Sequence, residues 1–378
     1  MHEYNRSKVN VNLSERSYSI HIGEGDQLSL SEEIARIAPT SAMILTHPKL
    51  AALYGVAVMQ TLREQGVNPT LFCIPPGERY KTLPTVNRIY EAMLDAHMDR
   101  KSLLITLGGG VIGDMGGFAA ATYLRGIPFI QIPTSLLAMV DASVGGKTGV
   151  DLPRGKNLVG AFHQPRAVII NTSTLRSLPT RELRAGLAEV IKHGIIFDKD
   201  YFDWIVVNSL SLLKRHTGVM LQAIHRSCEI KADVVSRDET EQGIRAILNF
   251  GHTVGHAIEQ LTGYRRYKHG EAVAIGMISA SLIGEEIGHT PPGTTDRIRR
   301  ALILCALPTA IPVDLSVDEI IQCMEFDKKS VGGELRLVLL DEIGRAVLRP
   351  GIPSDVVRSA LNKQEKAGFV AMQISAGS

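Results

Sequence analysis

Apolar and polar positions alternate along Val9–Leu13 and again along Tyr18–Ile22, the two-residue period of strands, with a polar turn between them. Ala42–Thr46 (AMILT) is a short apolar run, followed by helical spacing over Ala51–Gln65 and strand spacing over Thr70–Ile74. Helical spacing returns over Leu83–Ala96, and Leu103–Leu107 (LLITL) then reads as a buried strand. Phe129–Ile132 and Ala167–Ile170 add further strands. Strands and helices alternating at this spacing predict a parallel sheet with helices on its faces. Beyond Pro179 the helical period dominates, over Arg181–Phe197, Tyr201–Arg215, Val219–Ser236, Ile244–Leu261 and Ala272–Ile287. A late apolar pair, Arg336–Leu340 and Ala346–Leu348, reads as a small hairpin. The expectation is an α/β domain over 1–180 and a mostly α-helical domain over 181–378.

Composition agrees with two separate cores. At 378 residues, 44% hydrophobic and 21% charged, the chain has the make-up of a soluble globular protein. A net charge of +2 gives no reason to expect nucleic acid or an anionic membrane as partner, so any phosphate recognition must be local. Cys73, Cys228, Cys305 and Cys323 are scattered without metal-finger spacing, which favours a reduced, cytoplasmic setting. The start of the chain has no apolar signal core, and no apolar run is long enough to span a bilayer.

Two stretches suggest anion chemistry. Gly108, Gly110 and Gly113 satisfy G-x-G-x-x-G directly after the LLITL strand and at the start of a helix. Glycines there let backbone N–H groups approach a pyrophosphate at the positive end of a helix, a Rossmann-like arrangement. The alternative is a tight turn with close helix–sheet packing. About 20 residues on, where a Rossmann domain carries an acidic ribose clamp, the chain has Pro133-Thr-Ser. The stretch Asp141–Thr148 (DASVGGKT) ends like a phosphate loop, but Asp141 stands where that pattern requires glycine, which argues against an ATPase. Its lysine, and a second on Arg154-Gly-Lys-Asn157, suit a phosphorylated or carboxylated substrate, or else are solvated surface lysines.

His252 and His256 lie four apart in NFGHTVGHAIE, on one face of a helix. They are a metal chelate, a proton-handling pair, a hydrogen-bonded core pair or two polar residues that share a helix face by coincidence. His269 precedes another helix, and Glu189 lies in an amphipathic one with Lys192 three residues on as a salt-bridge partner. Two histidines and a carboxylate would leave an open position on a catalytic zinc, and spacing does not say which two histidines.

In this order, Arg16-Ser-Tyr18, GGGVIGDMGGFAAATYLRG, DASVGGKTGVD, AGLAEVIKHG, NFGHTVGHAIE and HGEAVAIGM resemble the 3-dehydroquinate synthases, a family of sugar phosphate cyclases, over nearly the whole chain. The resemblance implies an NAD-binding α/β domain and a helical metal-binding domain, assembled as a homodimer. It implies conversion of 3-deoxy-D-arabino-heptulosonate 7-phosphate to 3-dehydroquinate and phosphate, a lyase step of the shikimate pathway. It implies zinc or cobalt held by Glu189, His252 and His269, with His256 on the substrate side. NAD contacts would fall on Glu78 and Lys81, on Gly109, Gly110, Val111 and Asp114, and on Thr134, Ser135 and Lys156. Substrate contacts would fall on Arg125, Asp141, Lys147, Asn157 and Lys192, and on Lys231, Arg245, Asn249 and His256, with Lys328 in addition. The chain departs from the family's usual pattern at Ser135, Met139, Asn171 and His47. The implied chemistry is transient oxidation by NAD, β-elimination of phosphate, return of the hydride and an intramolecular aldol closure. A metal-containing NAD-dependent polyol dehydrogenase and another sugar phosphate cyclase are the competing readings; the first would need no cluster of lysines and arginines.

Overall fold

The structure is a computed structural model that describes residues 6–25, 28–329 and 335–376, the side chains of 28, 325–329 and 366–376 excepted. The chain divides into two compact units.

The first unit is built on a seven-stranded sheet. An antiparallel pair, β1 (Arg6–Val11) and β2 (Tyr18–Gly23), leads into α1 (Leu28–Ile37) and β3 (Ala42–Thr46). There follow α2 (Pro48–Leu50), α3 (Val56–Glu64), β4 (Pro69–Cys73), α4 (Leu83–Asp95), β5 (Leu103–Gly108) and α5 (Gly110–Thr122). Next come β6 (Phe129–Pro133), a hairpin of β7 (Lys147–Leu152) and β8 (Gly155–Phe162), and β9 (Ala167–Asn171). The sheet order is β1-β2-β9-β6-β5-β3-β4, parallel from β2 onward. Along β5 the side chains alternate between two cores. Leu104 packs with Met43, Met115 and Phe129, and Ile105 with Ile44, Leu62 and Ile130. Both faces of β5 are therefore covered, which is why its sequence is apolar without alternation.

The strands β4-β3-β5-β6-β9 follow the flavodoxin-like order of doubly wound sheets rather than the usual dinucleotide-binding one. Successive connections run to opposite sides of β3, to β4 and to β5, so the topological switch lies where β3 and β5 adjoin. The glycine loop leaves the carboxyl end of β5, at the crevice where such sheets bind ligands. This different order gives a physical reason for the missing acidic residue after the loop.

The β7–β8 hairpin replaces the two expected lysine-bearing loops, with Lys147 opening β7 and Lys156 and Asn157 in β8. Gly149 pairs with Gly160 across it, and a Cβ on Gly160 would lie 2.1 Å from the Thr148 carbonyl oxygen. These strands approach too closely for side chains there, so the sequence carries no alternation to read.

After β9 the chain enters the second unit as α6 (Thr180–Phe197) and α7 (Lys199–Leu213), then returns to the first as α8 (Thr217–Arg237). Unit one therefore comprises 1–179 and 217–240, a division that a single cut at 180 does not provide. The Asn12 N–H donates to Ser236 at 3.0 Å, and Arg16 pairs with Glu239 at 2.8 Å, anchoring α8 beside β1 and β2.

The second unit continues with α9 (His252–Leu261), α10 (His269–Glu286), α11 (Thr294–Leu304) and α12 (Val317–Lys329). The hairpin β10 (Arg336–Glu342) and β11 (Arg345–Pro350) and the helix α13 (Ser354–Ala376) complete it. The single helix expected over 244–261 is two elements, a 3₁₀ turn at Ile244–Asn249 and α9. Gly251 between them takes a left-handed φ of 80°, which ends one and starts the other. The helix α6 is not amphipathic around Glu189: Leu183 and every residue from Ala185 to Ile196 are buried. Among the described residues no helix is long and apolar enough to cross a membrane.

Candidate active site

Within the first unit, the residues expected at NAD gather around the start of α5. Gly109 is its N-cap and no side chain caps it, so backbone N–H donors are available to an anion. A Cβ on Gly108 would lie 2.7 Å from the Ile112 Cβ, which favours glycine at the turn, and one on Gly113 in α5 would lie 2.6 Å from Gln131 Oε1, the end of a side chain that would have to shift. Thr134 donates its N–H to the Gly108 carbonyl at 2.9 Å, and Ser135 lies against Gly109. Val111 and Asp114 occupy the next positions on α5, both half-buried. Lys81, itself buried, donates to Asp114 Oδ2 and to Asn157 Oδ1, both at 2.5 Å. Burial lowers the Lys81 pKa, but attraction from Asp114 and Glu78 outweighs it and leaves the ammonium more firmly protonated than usual. Lys156 faces Glu78 at 3.6 Å. Asn157, expected at the substrate, is thus joined to the NAD-side set. The departure at His47 stands just past β3 with its Nδ1 buried and unbonded, and burial, with Lys49, lowers its pKa toward the neutral ring.

The first unit also holds part of the expected substrate set. Lys231 on α8 donates to Asp141 Oδ1 at 2.5 Å and to the Asp141 carbonyl, so the two charges offset one another. Arg125 is exposed with φ 67°, and Lys147 is exposed at the start of β7.

The second unit brings Glu189, His252 and His269 together from α6, α9 and α10, their ligand atoms within 4.8 Å of one another. Glu189 is fully buried; neither oxygen accepts a hydrogen bond, and Lys192 is its ion-pair partner. Its Oε1 lies 3.8 Å from His269 Nε2 and 4.0 Å from His252 Nε2. Donors on a tetrahedral zinc at about 2.1 Å sit about 3.4 Å apart, so small side-chain adjustments would close the set. A buried carboxylate with Lys192 on Oε2 and two imidazole nitrogens facing Oε1 suits a divalent cation at Oε1. Each imidazole is also oriented through its other nitrogen: His252 Nδ1 faces the Phe250 carbonyl at 3.3 Å, and His269 Nδ1 faces Glu259 Oε2 at 3.0 Å. Sequence reasoning missed both partners. Glu259 stands in the quoted HAIE stretch, and its position one helical face from His252 was the available signal.

Glycines set these helices close. A Cβ on Gly270 would lie 1.9 Å from the Ala185 carbonyl oxygen on α6, and one on Gly276 would lie 1.9 Å from that of Gly251. The start of α10 is capped by Glu271, which accepts the Lys268 N–H at 2.8 Å and two bonds from Arg181 at 2.7 and 2.6 Å. Burial raises the Glu271 pKa, but these partners outweigh it and hold the carboxyl below its ordinary range.

His256 is exposed one turn along α9, its ring 5.3 Å from that of His252 and 5.8 Å from that of His269. Lys192 and Arg245 are buried cations of this unit, and Asn249 donates to Glu241 at 2.7 Å. Lys328 lies on α12, with its side chain outside the described residues.

Both halves of the chain match known proteins. Residues 71–185 match the family model described as 3-dehydroquinate synthase N-terminal, and residues 186–330 match 3-dehydroquinate synthase C-terminal. A 3-dehydroquinate synthase of Nostoc punctiforme is 45% identical, covering 94% of this chain and 99% of its own. The structure of 2-epi-5-epi-valiolone synthase from Streptomyces hygroscopicus subsp. jinggangensis, with NAD+ and Zn2+ bound, superposes with a TM-score of 0.86 at 27% identity. That match covers 94% of this chain and 99% of that one. A 2-deoxy-scyllo-inosose synthase complexed with carbaglucose-6-phosphate, NAD+ and Co2+ gives 0.85 at 26%, covering 95% and 100%. A glycine-loop sheet, a Glu–His–His cluster and matches across both halves lead to one conclusion: the chain belongs to the 3-dehydroquinate synthase family.

Proposed function

We propose that the protein converts 3-deoxy-D-arabino-heptulosonate 7-phosphate to 3-dehydroquinate with release of phosphate. It is a lyase of the shikimate pathway, leading to chorismate and the aromatic amino acids. The observation that carries this is the Glu189, His252 and His269 set in a chain of this family that also holds an uncapped glycine-loop helix. When bound, NAD supplies a reversible hydride acceptor and a divalent zinc or cobalt supplies a Lewis acid.

The chain's own residues hold and orient. Gly109, Gly110 and Val111 present backbone donors to the dinucleotide pyrophosphate, while Lys81, Asp114 and Glu78 fix its approach. Ser135 and Thr134 line the loop from β6, and Lys156 closes it from β8. Glu189, His252 and His269 hold the metal. In the first unit Lys147 and Arg125 offer cations to anionic groups of the substrate and the Asp141–Lys231 pair offers contacts to its hydroxyls; in the second unit Lys192 and Arg245 offer cations and Asn249 a hydroxyl contact. Asn157 bridges the substrate and NAD sides through Lys81. His256 takes and returns a proton at a ring nitrogen, since it is exposed and stands one turn from a ligand. After its family, the working form is a cytoplasmic homodimer.

The test follows phosphate, product and NADH together in the purified enzyme given the acyclic phosphate. One phosphate per cyclised product, with no lasting NADH, is the expected outcome. NADH accumulating in step with product would establish the dehydrogenase instead, and phosphate release only from a different sugar phosphate would establish another cyclase.

A further inference from the structure

His269 is shared by two groups of possible ligands. Its Nε2 faces Glu189 and His252, while His256, Glu259 and His269 form a second set within 4.8 Å. Distance separates them. Glu259 Oε2 lies 3.0 Å from His269 Nδ1, a hydrogen-bond length, and on the ring nitrogen opposite the one that faces Glu189. A proton belongs between these atoms.

Glu259 is a buried carboxylate on α9, only 3% exposed, and stands outside the sets proposed for the metal, NAD and substrate. His269 is the first residue of α10, and its side chain is 30% exposed, so its own helix supplies no preceding turn to pack the ring. The orientation must come from elsewhere.

We propose that Glu259 is a positioning residue that accepts the Nδ1–H of His269, holding the ring in the tautomer whose Nε2 lone pair points to Glu189 and His252 and strengthening that nitrogen as a donor to a divalent cation. The Phe250 carbonyl serves His252 in the same way, at 3.3 Å and without charge. Both imidazoles are thus set from the segment Phe250–Glu259, although His269 belongs to another helix. The proposal rests on the reading that Glu189, His252 and His269 hold the metal.

Zinc affinity of folded, metal-free protein, measured by competition with a chromophoric chelator, tests it. Glu259→Ala should weaken zinc about 10–100-fold. Glu259→Gln, whose amide oxygen still accepts, should lose less. In metal-free protein, nitrogen NMR of the imidazoles should find His269 in the Nδ1–H tautomer, and a tautomer mixture in Glu259→Ala. A merely structural carboxylate would move neither readout. His252→Ala is measured alongside. If it loses zinc while Glu259→Ala keeps parental affinity and tautomer, the positioning role alone is overturned. If His252→Ala binds zinc like the parent, the metal set is wrong and this inference falls with it.

Discussion

At the scale of single residues, the proposed function divides the work between the two histidines of NFGHTVGHAIE. His252 Nε2 faces the buried Glu189, whereas His256 is exposed and does not belong to that triad. Residues four apart on a helix sit about 6 Å apart along its axis, so one can reach a cation while the other reaches a hydroxyl bound near it. His256→Ala should keep near-normal zinc and NAD while turnover falls about 100–10,000-fold, the range for a lost general acid or base. Metal analysis beside a turnover assay checks this, and a zinc-free but folded His256→Ala would mean the wrong histidine was assigned. The ligand set itself was not legible from spacing. Glu189 and His252 are far apart in the chain, and three histidines competed for two places, so the choice came through the family's motifs. Glu259 stayed hidden for a different reason: a glutamate in a helix ordinarily reads as a solvent-facing residue.

Among elements, backbone proximity governs the site. The start of α10 rests on α6 through Gly270, whose Cβ would come 1.9 Å from a carbonyl oxygen, and the neighbouring residue is His269, a proposed metal ligand. Gly270→Ala must push α10 away from Glu189, and a misplacement of about 1 Å costs about 100-fold in turnover. Gly218→Ala is the control, since nothing lies within 4 Å of its Cβ and its φ is ordinary. That change should leave activity intact. Equal behaviour of the two variants would remove the argument from close packing. Such contacts also mark where the pattern of apolar positions stopped being informative. LLITL announced β5 because both its faces are buried, but the glycine pair of β7–β8 erased the alternation that would have announced a hairpin. Apolar spacing ran unbroken through 244–261, and only the left-handed Gly251 divides it. Periodicity told which face of α8 is apolar and could not tell which unit that face would join.

For the whole molecule, the residues proposed for NAD fall in the first unit and those proposed for the metal in the second. A chelator-treated sample should therefore lose turnover while keeping NAD binding and a sedimentation mass near twice 41.1 kDa. Loss of NAD binding would overturn the separation, and a monomer mass would overturn the proposed dimer. The return of α8 has a consequence for biosynthesis. Domains generally fold as units as they emerge from the ribosome. Here the first unit lacks α8, and with it the lysine that neutralises Asp141, until residue 240 has emerged. The intervening α6–α7 segment, carrying the buried Glu189, emerges before either histidine that it will face. A nascent chain of which only residues 1–180 have emerged thus holds all seven strands but neither α8 nor the Lys231 that pairs with Asp141, and emergence to residue 240 is what completes the unit.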